Sequence, residues 1–276
     1  MSSGNFVFRF LGAIWRGLDG LRKLLHLLLM VLVFLLFFGA ISGEAPQMMP
    51  QKAALLLQPA GSLVEQVAGD PYDRAVAELV GDAPPQTLVS DIVEALEHAA
   101  DDDRIELVHL ELSALGGAGL NKLQQVAAAM AEFQSSGKRI VASADFYSQQ
   151  AYYLAAHADE VYMHPEGLVY LQGFGAYRNY FKDAIDLLRI DWNVFRIGTH
   201  KSFVEPYTRM DMSDEDRESR SRLLAQFWTM YQEDVVAARG LAEGAVDDYA
   251  QNLVAYVASA NGDISQAALD LSLIHI

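Results

Sequence analysis

Cysteine is absent from all 276 residues, which excludes disulfides, thiolate catalysis and cysteine-ligated zinc. The compartment stays open, because an oxidising space accommodates cysteine-free proteins as well. Positive charge is scarce too: 20 lysines and arginines stand against 36 carboxylates, a formal net charge of −16. A nucleic-acid surface needs a basic footprint, so nucleic acid is excluded as a partner. Nucleotide loops are missing. Gly117-Ala118-Gly119-Leu120-Asn121-Lys122 lacks the third glycine of a dinucleotide fingerprint, and no adjacent lysine and hydroxyl follow the glycines as a phosphate loop requires. Asp101-Asp102-Asp103 lacks the spacing and glycine of a calcium loop and reads as a solvated turn. His157 and His164 are not part of an i, i+4 pair with a glutamate between, as a zinc protease needs, and read as structural or surface histidines. No metal or cofactor is implied.

Against these absences stands one long apolar run. Residues 1–23 carry Arg9, Arg16, Arg22 and Lys23 against Asp19, and Leu24 to Ser42 follows with His26 as its one strongly polar residue before the Gly39–Ser42 end. At about 1.5 Å per residue the run reaches roughly 28 Å, enough to cross a hydrocarbon core of about 30 Å. The basic flank before it and Glu44 after it predict a cytoplasmic segment over 1–23, a transmembrane anchor over 24–42 and a main body outside. A cleaved signal peptide is the alternative, with Ala40-Ile41-Ser42 as its weak small-x-small site. Residues 43–52, with Pro46 and Pro50, read as a linker.

The body, 53–276, alternates strands with helices, the pattern of an α/β domain. Ala53–Leu57, Ile105–Leu112, Arg139–Ala144, Glu160–Met163 and Leu168–Leu171 read as strands, with Leu63-Val64 extended beyond a turn at Gly61. Pro71 to Gln86 is polar and reads as a loop, with Thr87 capping a helix whose apolar face is Leu88, Ile92, Leu96 and Ala99. Another helix follows Gly119 through Leu120, Leu123, Val126, Met130 and Phe133. Tyr177 to Leu188 reads as a helix packed by Phe181, Ile185 and Leu188. Ser213 with Asp214, Glu215 and Asp216 makes a capping box for a helix reaching about Arg239, and Val246–Ala258 and Ile264–Leu271 read as two more. The stop at Ser272-Leu273-Ile274-His275-Ile276, without cap or polar tail, suggests a partial reading frame.

The chemistry-bearing stretch is Gly198-Thr199-His200-Lys201-Ser202-Phe203-Val204-Glu205-Pro206-Tyr207-Thr208-Arg209. It follows an apolar run, Trp192 to Ile197, that reads as a buried strand. A lysine, with a free pKa of about 10.4, becomes a usable base when buried among apolar groups or set beside another cation. Phe203, Val204 and Tyr207 offer Lys201 an apolar wall and Arg209 a second cation, whereas contact with Glu205 would hold the amine charged.

This stretch resembles the G-x-x-K-S-x-V-E-P segment of the signal peptide peptidase A family, membrane-bound Ser/Lys proteases. The similarity continues through Asp211-Met212-Ser213 and Arg217-Glu218, and back through Gln149-Gln150-Ala151-Tyr152-Tyr153-Leu154-Ala155. It covers most of residues 55 to 270, the N-terminal half of the long, two-repeat form. The resemblance implies a crotonase/ClpP-like β-β-α spiral and makes Lys201 the general base. Aligned on Tyr152 and Tyr153, the serine of the catalytic A-S-G-G-Y-Y segment falls on Gln149, and its two glycines become Gln150 and Ala151. Ser148 stands one residue early, about 100 degrees away on a helix. Of the D-S-P-G-G oxyanion loop only Gly116-Gly117 remains, a turn kept for the fold. The resemblance thus implies a half with a base but no nucleophile, the serine coming from a second repeat beyond it. Apolar signal-peptide remnants as substrate, the outer face of the inner membrane as location and a homo-tetramer as assembly are implied with it. A non-catalytic membrane scaffold of the same fold is the alternative, and an acyl-CoA enzyme of the crotonase superfamily ranks after it.

Overall fold

The computed structural model describes residues 4–41, 50, 52–81, 84–195, 197–198 and 201–275. It divides into two units, residues 1–50 and 51–276. The first is a single helix, α1 (Gly4–Ile41), continuous through the basic stretch and the apolar run. Asp19 pairs with Arg22 and Lys23, one turn along, at 2.8 Å each. From Phe10 to Gly39 it is long and apolar enough to cross a membrane, and Leu24 to Phe38 present exposed apolar side chains interrupted by His26. Ser42 and most of the expected linker lie outside the described residues.

In the second unit a strand–strand–helix step repeats. β1 (Ala53–Leu57) is followed by β2 (Gly61–Val64) and, after helix α2 (Pro71–Val80) and a short strand β3 (Gln86–Leu88), by helix α3 (Val89–Asp101). β4 (Ile105–Glu111) and β5 (Leu115–Gly117) lead to α4 (Leu120–Ser135), and β6 (Arg139–Ala144) and β7 (Tyr147–Ser148) lead to α5 (Gln149–Ala156). β8 (Glu160–Met163) and β9 (Val169–Tyr170) make the fourth step. The first strand of each step joins one four-stranded parallel sheet, order β1-β4-β6-β8. The second strands form the parallel groups β3-β2-β5 and β7-β9. This is the β-β-α spiral of the crotonase- and ClpP-like fold, read from strand order alone.

The core lies where the four-stranded sheet meets α3 and α4. Val108, Ile140, Ala142 and Val161 point from three adjacent strands into a layer closed by Ile92, Leu96, Val126, Met130 and Phe133. Truncating one such side chain to alanine costs about 2–5 kcal/mol, since close-packed neighbours relax only partly into the void. Gly61 and Gly116 place the second layer against the first. Gly61 has φ +66°, and a Cβ there would lie 1.8 Å from the Pro85 carbonyl oxygen. A Cβ on Gly116 would touch the Gly61 backbone at 3.4 Å, so these glycines serve strand pairing.

Four local expectations fail. Pro71 to Gln86 contains α2, because Pro71 suits a first helical position and the Asp70 carboxylate accepts the Tyr72 N–H at 2.8 Å. Thr87 caps nothing: it sits in β3, its hydroxyl bonded to the Ala60 N–H and C=O at 2.9 and 3.0 Å, and α3 starts after Leu88 without a side-chain cap. The helix expected from Tyr177 to Leu188 shrinks to α6 (Lys182–Leu187) and buries none of its residues. Around Trp192 to Ile197 no strand occurs among the described residues, Arg196 being outside them, and Phe195 and Ile197 are nearly fully exposed. An apolar run becomes a strand only where a neighbouring strand offers a ladder.

The remaining helices are α7 (Glu205–Thr208), α8 (Asp214–Arg239), α9 (Ala245–Ser259) and α10 (Ile264–Asp270). The second half of α8 docks on the spiral through buried Tyr231 and Val235, and Tyr249 of α9 donates its hydroxyl to the Val169 carbonyl at 2.8 Å. The end of the chain runs beside β8: the His275 N–H donates to Val161 O, and the Val161 N–H donates to His275 Nδ1, both at 2.8 Å.

Candidate active site

Gln149 opens α5, directly after Ser148, whose Oγ caps the helix by accepting the Ala151 N–H at 3.2 Å. The Ser148 side chain is therefore occupied in holding the turn together. Gln149 is 7% exposed, and its Oε1 accepts two backbone N–H groups, from Gln172 at 3.0 Å and Gly173 at 2.8 Å. Its own carbonyl accepts the Tyr231 hydroxyl at 2.9 Å. The two tyrosines that anchor the comparison lie beneath. Tyr152 donates to the Leu273 carbonyl at 2.9 Å and Tyr153 to Asp234 Oδ2 at 2.6 Å. Burial raises the pKa of Tyr152, Tyr153 and Tyr231 well above the usual phenol value, which keeps all three as donors. His157, at the end of α5, bonds through Nδ1 to the Tyr153 carbonyl at 2.8 Å, and burial lowers its pKa.

Lys201 lies in the loop between α6 and α7 and is exposed. Its neighbour Ser202 fastens that loop to the start of α8, donating its hydroxyl to Asp216 Oδ1 at 2.6 Å. The Ser202 carbonyl accepts the Glu205 N–H at 3.0 Å and Arg178 at 3.2 Å. Arg220 donates to the other Asp216 oxygen at 2.8 Å. Burial pushes the Asp216 carboxyl up, but the Ser202 hydroxyl, Arg220 and Arg178 outweigh it and leave it below the ordinary value. Glu205, 1% exposed, accepts the Ser213 hydroxyl at 2.5 Å and the Ser213 N–H at 3.1 Å. Ser213 Oγ in turn caps α8 by accepting the Asp216 N–H at 3.2 Å. The residues that follow Lys201 thus hold its loop to one helix end.

The expected surroundings of Lys201 are partly corrected. Both Glu205 oxygens are committed to Ser213. Arg209 pairs with Asp211 at 3.0 Å. Phe203 is 80% exposed and Val204 half-buried, while Tyr207 stacks on Trp192 at 4.7 Å between ring centres. Lys201 itself is exposed, and His200 lies outside the described residues. Lys201 and Gln149 sit on different parts of the unit: a loop before α7, and the first turn of the third spiral step. The capping of α8 was visible in sequence. The bonds from Glu205 to Ser213 and from Tyr231 to Gln149 were not, since they span 8 and 82 residues with no periodicity to mark them.

Residues 132–264 match the model of peptidase family S49. The chain is 33% identical over 277 residues to "Protease 4" of Salmonella typhi and 31% identical over 274 residues to "Protease 4" of Haemophilus influenzae. These alignments take in 98% and 97% of this chain but 45% of each relative, so the chain spans a little under half their length. The chloroplastic "Serine protease SPPA" of Arabidopsis thaliana is 27% identical over 151 residues, 55% of this chain and 22% of that protein. Among solved structures, an enoyl-CoA hydratase from Shewanella pealeana covers 76% of the chain at 14% identity with a TM-score of 0.25. A superposition at that score adds nothing to what the strand order shows.

Proposed function

We propose that this chain is the general-base half of a membrane-anchored serine peptidase of the signal peptide peptidase type. Lys201 takes the proton from a serine that a second repeat supplies, and the serine oxygen attacks the peptide carbonyl. The C–N bond breaks as the protonated lysine gives its proton to the departing amine, and water activated by the freed lysine hydrolyses the acyl-enzyme. The observation that carries the reading is the contrast between the two motif positions: the Lys201 loop is intact and anchored through Ser202 and Glu205, whereas the nucleophile position holds Gln149 with its amide oxygen bonded to two N–H groups. A lysine works as a base once water is removed from it. The exposed Phe203, Phe195 and Ile197 supply apolar surface for the second repeat to cover. Apolar signal-peptide remnants are the substrate class, met on the outer face of the inner membrane, and protomers assemble as a homo-tetramer that shares sites between repeats. Sedimentation of the detergent-solubilised two-repeat form as a monomer would remove the tetramer from this reading.

The test is a division of labour. The 276-residue chain alone should cleave an apolar peptide ester no faster than background and take no label from a serine-directed phosphonate. In the two-repeat form, Lys201→Ala should abolish cleavage with the fold unchanged by circular dichroism. Lys201→Arg should do the same, since a guanidinium does not give up its proton at working pH. Near-normal turnover by Lys201→Arg, or labelling of Ser148 in the isolated chain, would overturn the proposal.

A further inference from the structure

The contact between Gln149 and the segment after β9 has a geometry of its own. Two consecutive backbone N–H groups, Gln172 at 3.0 Å and Gly173 at 2.8 Å, converge on a single oxygen, Oε1 of a side chain that is 7% exposed. The two donors dictate the orientation of the amide, because the opposite flip would set an NH₂ against them. Gly173 has φ +72°, the left-handed conformation that lets successive N–H groups point into one concavity. The same two residues line a cavity of about 430 Å³, together with Phe174, Trp228, Asp247 and Gln251. One side of the pair is therefore closed by Gln149, and the residues that carry it face open space.

We propose that the paired N–H groups of Gln172 and Gly173 form a carbonyl-oxygen receptor, filled in this chain by its own Gln149 and open to an external amide or carboxylate oxygen once that side chain is shortened. The ligand class is a planar acceptor the size of a peptide group: an amide carbonyl, or the carboxylate of a peptide end. Gln149 then holds a peptide-binding element shut, beyond simply lacking a nucleophile's hydroxyl. The choice of a peptide as natural ligand rests on the peptidase reading; the binding itself needs no catalysis and can be measured whatever the activity.

The experiment uses the full chain in detergent micelles, with acetamide and sodium acetate as probes of the neutral and charged acceptor. Gln149→Ala should melt below the unchanged chain, and either probe should raise its midpoint saturably by on the order of a few degrees, as a ligand that binds only the folded state does. The Gly173 amide, labelled with nitrogen-15, should shift with the same concentration dependence. The unchanged chain, with its receptor filled, and Gln149→Leu, in which an apolar group occupies the space, should show neither response. A stronger response to acetamide marks a carbonyl receptor, and one to acetate an anion receptor; both sustain the proposal. If Gln149→Ala fails to fold, Gln149→Glu serves instead: its carboxylate should keep the Gly173 amide proton hydrogen-bonded and shifted downfield. A folded Gln149→Ala that ignores both probes, or a Gln149→Glu chain whose Gly173 amide exchanges as if unbonded, would overturn the inference.

Discussion

Ser213 holds together two parts of the lysine loop that are otherwise far apart in chemistry. Its oxygen accepts an N–H at the start of α8, and its proton goes to the buried Glu205 carboxylate. Replacing an N-cap serine by alanine costs about 1 kcal/mol. Here Glu205 would also lose a donor while 1% exposed, and an under-bonded buried acceptor costs about 1–3 kcal/mol. Ser213→Ala should therefore lower the stability by about 2–3 kcal/mol, read as a lower urea midpoint with an unchanged slope. Ser213→Thr, which keeps the hydroxyl, should recover most of it. A loss of about 1 kcal/mol or less, no more than the cap alone, would show that the Glu205 contact is idle. At the nucleophile position the residue type was legible and its use was not: Gln149 was visible as a departure from serine, but its engagement with Gln172 and Gly173 depended on where β9 ends.

Among the elements, helices with a repeated apolar face were legible, and those without one were not. α3, α4 and α8 bury side chains that recur at three- and four-residue spacing, and α8 ends where expected, at Arg239 before a left-handed Gly240. α2 was missed because its start signal, an aspartate followed by proline, also marks a turn. α6 was overextended because Phe181 and Leu188 carry the right spacing, yet both remain exposed, Phe181 stacking on Tyr207 at 6.3 Å between ring centres. For α1 we predict an anchor with a cytoplasmic amino terminus. Protease added to intact spheroplasts should digest residues 53–276. Without protease, mass spectrometry of the membrane fraction should find residues 1–41 still covalently joined to the 53–276 body. A soluble form beginning near residue 43 would overturn the anchor.

For the second unit as a whole, two histidines set a pH response. His157 faces Asp234 and the Tyr153 carbonyl, and His275 faces Arg239, Glu160 and the backbone of Val161. Burial lowers both below the ordinary 6.5, with Arg239 adding to the effect on His275. A ring that takes up its proton more readily when unfolded makes folding weaker as pH falls through 6.5, and contributes no such penalty above it. Carboxylates, with ordinary pKa values of about 4, stay largely ionised over the same range and change the response little. The comparison that isolates the ring is therefore His275→Asn, whose Oδ1 can still accept the Val161 N–H without gaining charge. Between about pH 7.5 and pH 5.5 the melting temperature of the unchanged chain should fall relative to that variant; parallel curves would remove His275 from the response.

Sequence by itself determined the α/β class, the five main strands, the apolar anchor candidate, the lysine motif and the glutamine at position 149. Each is written locally, in period-two or period-3.6 burial, in one uninterrupted apolar run, or in residue identity at a motif position. Tertiary structure alone decided how the motif residues are used. Glu205 accepts from Ser213, Ser202 fastens its loop to Asp216, and Tyr231 crosses 82 residues to hold the backbone of Gln149. It also decided that Trp192 to Ile197 makes no strand among the described residues. Apolar content records only that a segment gains from leaving water; which surface receives it, and which polar groups must then be bonded, depends on elements that meet only once the spiral has closed.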